Sequence, residues 1–80
     1  MSDAEMVRFL RTQLDEDEQA TQDESRVLDI QSKRRIVATC ADVLENPSGD
    51  GDDEVLASRV LLELITLYRN RPGFNHWWLT

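Results

Sequence analysis

The stretch 54–71, EVLASRVLLELITLYRNR, leaves this chain few ways to fold. It is the longest apolar run in the sequence and its spacing is helical. At about 100° per residue, Leu56, Ala57, Val60, Leu61, Leu64, Ile65, Leu67 and Tyr68 fill roughly half of the circumference. A surface helix needs an apolar stripe only about 100° wide, so this helix requires two neighbours, or one neighbour and a second chain. Leu62 and Val55 fall outside the apolar half, while Arg59, Glu63 and Thr66 mark the solvent side.

Eighty residues supply one domain, near the lower end of what a single core holds together unaided. Self-association is therefore expected. The single cysteine, Cys40, cannot close an intramolecular disulfide, and no stretch has the pattern of a signal peptide. A cytoplasmic protein is expected. The longest uncharged apolar run, residues 60–62, is far short of the ~20 residues that cross a bilayer, so no membrane contact is predicted. Sixteen acids against nine bases give a formal charge of −7, which disfavours a phosphate backbone as a direct ligand, because that needs a basic face.

From the start of the chain, Ser2 and Glu5 have the spacing of a capping box, and Met6, Val7, Phe9, Leu10 and Leu14 then share one helical face. Between positions 15 and 24 there are six acids and no base. Because no Gly or Pro occurs before Pro47, residues 2–46 allow either one long helix or a hairpin with a polar turn at 21–25. A fold-back centred near residue 25 places Leu14 opposite Ile36, Leu10 opposite Cys40, Val7 opposite Val43 and Met6 opposite Leu44. It also sets Asp17, a charge on the first apolar face, against Lys33 on the second. The hairpin is the arrangement expected, with Asp17 and Lys33 as an ion pair. Arg34 and Arg35 flank the second apolar stripe and are expected to meet the acids of 15–24.

Pro47 and two glycines make residues 46–52 a loop. Asp50, Asp52 and Glu54 alternate as a calcium loop begins, but Val55 and Leu61 stand where its glycine and distal glutamate belong. These acids are read as solvation, an N-cap and favourable first-turn charge. After Pro72 and Gly73 the segment FNHWWLT is too apolar for a free tail; Phe74 and one Trp are expected to fold back over the bundle. His76 has no ligand partner nearby, so no metal and no cofactor is expected. The fold class is all-α: a small antiparallel three-helix bundle, a helical hairpin plus a core third helix, with an aromatic tail. Helices are expected at about 3–20, 25–45 and 53–70, with the tail at 72–80.

FLRTQLDEDEQA, RVLDIQSKRRIV and RPGFNHWW resemble three blocks of an uncharacterised small-protein family, a domain of unknown function, of actinobacteria and their phages. The LDEDE and KRRI runs are the most specific elements. The resemblance implies lineage and host and supplies no activity or catalytic residue. The family's longer insert between the first two blocks is nearly absent here.

An interaction protein is the leading expectation, one that binds a host or phage protein through the acidic helix end, Asp15, Glu16, Asp17 and Glu18, or the aromatic residues Phe74, Trp77 and Trp78. A homodimer is expected to use Leu56 and Leu62. In a DNA mimic, the acids of 15–24 and 50–54 would imitate phosphates, although the basic second helix interrupts that face. An all-α nucleotide pyrophosphatase would hold magnesium between Asp15-x-x-Glu18 and Asp42-x-x-Glu45. The hairpin separates those pairs by on the order of 25 Å at 1.5 Å per residue, so no catalytic residue is assigned.

Overall fold

The structure, a computed structural model, describes residues 3–47, 49 and 51–79. Three helices pack against one another: α1 (Asp3–Ala20), α2 (Glu24–Glu45) and α3 (Asp52–Thr66), followed by a 3₁₀ turn at His76–Leu79. Side-chain bonds fix their directions. Ser58 Oγ on α3 donates to Asp3 Oδ2 at the start of α1 at 3.2 Å, and Arg71, beyond α3, reaches Asp17 near the end of α1 at 2.9 Å. Hence α1 and α3 run side by side in the same sense, with α2 antiparallel to both. No helix among the described residues is long and apolar enough to cross a membrane.

The core is built from one face of each helix. Met6, Val7, Leu10 and Leu14 come from α1, Ile30, Val37, Cys40 and Ala41 from α2, and Ala57, Leu61 and Ile65 from α3. Leu61 and Ile65 are completely inaccessible, as expected of the central positions of the third helix. The hairpin is present, with a tighter turn than the sequence suggests: only residues 21–23 are non-helical. It needs no glycine because side chains cap it. Thr21 Oγ1 accepts from the Asp23 amide at 3.2 Å, and Asp23 Oδ1 accepts from the Ser25 amide at 2.9 Å, satisfying one of the orphan donors at the start of α2.

Two details of the expected register differ. Val37, and not Ile36, fills the core of α2; Ile36 is 40% exposed and faces α3. Likewise Val7 shares a groove with Ala41 and Leu44, not with Val43. One position is about 100° of helix, so a small error in phase moves a residue from the α1 side of α2 to its α3 side.

The second loop ends on Gly51, whose φ of 81° places it in the left-handed region and which occupies the N-cap position of α3 with no side chain to cap it. The expected carboxylate N-cap is therefore replaced by glycine, while Asp52, Asp53 and Glu54 supply the negative first turn. Ser2 and Asp50, with the capping box drawn from Ser2, lie outside the described residues. At its other end α3 stops at Thr66, short of the expected residue 70, and continues in tighter turns: the amides of Leu67, Tyr68 and Arg69 bond to carbonyls three residues back. Arg71 to Phe74 then form a turn closed by the Phe74 amide on the Arg71 carbonyl at 3.2 Å, with Pro72 and positive-φ Gly73 at its centre. This reversal returns the tail to the bundle.

Candidate interaction surfaces

The acidic end of α1 is largely occupied by intramolecular partners. Arg34 of α2 donates through Nη2 to Asp15 Oδ1 at 2.7 Å and to Glu18 Oε2 at 2.6 Å, and through Nε to the same Glu18 oxygen at 3.1 Å. These bonds raise the guanidinium pKa, Asp15 contributing most. Arg34 thus meets the acids as the sequence suggests. Arg35 instead bonds Ser32 Oγ at 3.3 Å.

The expected Asp17–Lys33 ion pair is not formed. Lys33 pairs with Asp29 on its own helix at 2.8 Å, a bond that raises its pKa despite partial desolvation. Asp17 pairs with Arg71. The two residues still line one pocket with Arg71 and Asp29. A partner one turn away on the same helix is positioned before folding, so Asp29 claims the lysine and the C-terminal segment supplies the cation for Asp17. Arg71 also donates to Oε1 of Gln13, a buried polar side chain of the α1 face, at 3.3 Å, and lies over the Tyr68 ring at 5.4 Å from its centroid. Glu16 remains exposed, on the rim of a shallow groove with Pro72 and Gly73.

The aromatic residues divide. Phe9 of α1 packs on Phe74 with ring centroids 5.8 Å apart and on Trp78 at 5.4 Å, while Phe74 and Trp78 meet edge to face at 5.3 Å. Trp78 is buried, Phe74 half-buried and Trp77 72% exposed. Phe74 and Trp78 therefore belong to the bundle, and of the three aromatic candidates only Trp77 offers a large exposed surface. Asn75 sets this geometry: its Oδ1 accepts from the Trp77 amide at 3.0 Å and its carbonyl from the Trp78 amide at 3.1 Å.

Two grooves flank α3. The first, between α2 and α3, has a volume of about 440 Å³ and is lined by Ile36, Cys40, Val43, Leu56, Ala57 and Val60, with Arg35 on one helix and Asp53 on the other. Leu56 is 63% exposed there, and burial pushes the Cys40 thiol pKa up. The second groove, about 470 Å³, lies where α1 and α3 begin and the 3₁₀ turn covers them; Met6, Leu44, Val55 and Leu62 supply its apolar wall. Leu62 is half-buried and packed against the core. The two residues expected to share a dimer contact thus lie in different grooves.

Asp3, Ser58 and Arg59 add polar groups to the lining of the second groove, and two further lining residues, Glu54 and Trp78, each hold a buried polar atom without a partner, Oε2 and Nε1. Leaving such an atom unbonded costs about 1–3 kcal/mol. No periodicity or motif points to them, because the need arises only when the tail folds back.

Among the described residues no group of three or more His, Cys, Asp or Glu side chains could hold a metal ion. Asp15 and Glu18 are engaged by Arg34, and Asp42 accepts from the Asn46 side chain at 3.1 Å. His76 packs against the Phe74 ring. No family model matches the chain, and no curated protein or solved structure is significantly similar to it.

Proposed function

We propose that the protein is a small acidic helical interaction protein that acts as a homodimer in the cytoplasm of a host cell and binds a host or phage protein. The observation that carries this reading is the apolar groove between α2 and α3, where Leu56 and Ile36 stand exposed over a floor of Cys40 and Ala57. An 80-residue bundle has little core to spare, and covering this groove with a second copy buries the same apolar surface twice in a closed contact. The opposite charges on its walls, Arg35 and Asp53, suit a self-complementary face. The phage connection rests on the resemblance of the LDEDE and KRRI blocks.

The DNA-mimic alternative has less support, because arginines hold Asp15, Asp17 and Glu18 and reduce the negative face. The pyrophosphatase alternative would require Asp15 and Glu18 to leave Arg34. Sedimentation equilibrium at micromolar concentration tests the dimer. The expected mass is twice the 9.3 kDa of one chain, returning to one chain in Leu56→Glu; a single-chain mass at every concentration overturns the self-association.

A further inference from the structure

We propose that the two copies meet along the whole outer face of α2 and α3, each α3 lying antiparallel on the α3 of the other copy, with Leu56 of one against Leu67 of the other. This inference rests on the self-association proposed above and fixes its extent and direction.

The extent follows from the exposed side chains. Among the described residues seven large hydrophobic side chains are exposed, and four of them, Leu28, Ile36, Leu56 and Leu67, belong to this face. Ile36 and Leu56 line the groove itself. Leu28 stands one turn before the lining residue Ser32, and Leu67, whose backbone is still helical at φ −63°, stands two turns beyond the lining residue Val60. Because α2 and α3 run in opposite senses, Leu28 and Leu67 come level with each other at the end of the hairpin away from its loop. The apolar stripe therefore outruns the groove, and from Leu56 to Leu67 it extends about 16 Å at 1.5 Å per residue.

The direction follows from charge. A two-fold axis can cover a two-helix face with its own copy in two ways. An axis along the helices lays α3 on the other copy's α2 and stacks loop end on loop end. An axis across the helices lays α3 on α3 and α2 on α2, so that each loop end meets an open end. Residues 42–54, the loop end, carry six acids and no base. The open end of α2 and α3 carries Arg26, Lys33, Arg69 and Arg71 together with Asp23, Glu24 and Asp29; α1, with its own acids, lies behind the hairpin. The middle, with Arg35 on α2 and Glu63 on α3, falls on itself in either arrangement. The axis along the helices therefore presses two wholly acidic ends together, and the axis across them gives each acidic end a partner that holds arginines. Juxtaposed like charge rejects the first arrangement and complementary charge selects the second.

The test is cross-linking of the full chain carrying Cys40→Ala, checked for the helix content and sedimentation mass of the parent, so that an introduced thiol is the only one. Leu28→Cys, Leu56→Cys and Leu67→Cys variants are mixed in pairs, one of each pair ¹⁵N-labelled so that its mass marks the mixed dimer, and oxidised with copper phenanthroline. Leu56→Cys with Leu67→Cys is expected to form the mixed disulfide at least about tenfold faster than either variant alone or than Leu28→Cys with Leu67→Cys. Charge gives a second reading: Arg69→Glu should weaken the dimer about threefold or more at low salt, and adding Asp53→Lys to it should restore the parent affinity. Faster cross-linking of Leu28→Cys to Leu67→Cys, equal rates from all pairs, or a dimer indifferent to both charge changes overturns the direction while the two-chain mass keeps the self-association. A one-chain mass for the parent protein overturns both.

Discussion

The two grooves beside α3 have similar volumes and opposite chemistry. The one against α2 is mainly aliphatic, with Arg35 and Asp53 at its walls, and presents no buried unsatisfied polar atom among the described residues; the one under the 3₁₀ turn sets Asp3, Ser58 and Arg59 beside its apolar residues, and two of its lining residues hold buried unsatisfied polar atoms. Any well-shaped apolar surface can cover the first, since burial of hydrocarbon is non-directional. The second mixes charge with hydrocarbon, Asp3, Glu54 and Arg59 lying beside Met6, Leu44, Val55 and Leu62, so a purely apolar cover would bury charge there. The difference lies in how each groove is made. Two helices meeting along their length form the first, whereas a tail folded over helix ends forms the second.

Removing a wall of the second groove should produce the largest effect. Trp78→Ala deletes a buried ring that touches both Phe9 and Phe74 and should cost about 3–5 kcal/mol, read from the urea midpoint. The adjacent Trp77→Ala, on an exposed side chain, should stay within about 0.5 kcal/mol of the parent. Equal losses would mean that the tail does not seat as described.

The two arginine clamps separate the grooves further. Arg71→Met detaches the tail from α1 and leaves buried Gln13 Oε1 without its donor, which should cost about 1–3 kcal/mol and alter the Trp78 fluorescence. Arg34→Met breaks a more exposed clamp on the hairpin that supplies a wall of the first groove. It should cost only about 0.2–1 kcal/mol, shrinking in high salt, with the Trp78 signal unchanged.

The smallest effect is alkaline. Burial raises Cys40, on the first groove, above its ordinary 9.0 and Tyr68 above 10.0, and the bond to Asp29 raises Lys33 above 10.5. In each case the folded value lies above the unfolded one, so the contribution is complete below the unfolded value and is lost as pH rises through the folded one. From these groups, stability should be level through neutral pH and decline above about pH 9. Thermal unfolding in a pH series, paired with thiol titration of Cys40, measures it.

Much of this architecture is legible in the sequence because it depends on periodicity. The face of Ala57, Leu61 and Ile65, the hairpin with its turn inside residues 21–25, and the meeting of Arg34 with the acids of α1 all follow from spacing and sign of charge. The choice among nearby partners does not. Asp17 and Lys33 remain neighbours, but Asp29 is preplaced for the lysine and Arg71 arrives from far along the chain. A phase difference of one residue explains Ile36, and the tapering of α3 into tight turns after Thr66 precedes the approach of Arg71 to Asp17, a contact that helical spacing through residue 70 does not indicate. Of the candidate contacts, exposed Leu56 and Trp77 are surface residues, whereas Leu62, Phe74 and Trp78 are drawn inward by the tail. The apolar composition of FNHWWLT and the Pro72–Gly73 turn point to that return, with Phe74 and one Trp covered as expected, but no local pattern says which Trp it is.

The central claim is that the chain meets a second copy of itself through the aliphatic groove of α2 and α3. An isotope-filtered NOE experiment on an equal mixture of labelled and unlabelled chains tests it most directly. The expected result is a set of inter-chain contacts from the methyl groups of Leu56, Ile36 and Val60. Inter-chain contacts confined to Val55 and Leu62 on the other side of α3, or none at concentrations where the mass is that of two chains, would contradict it.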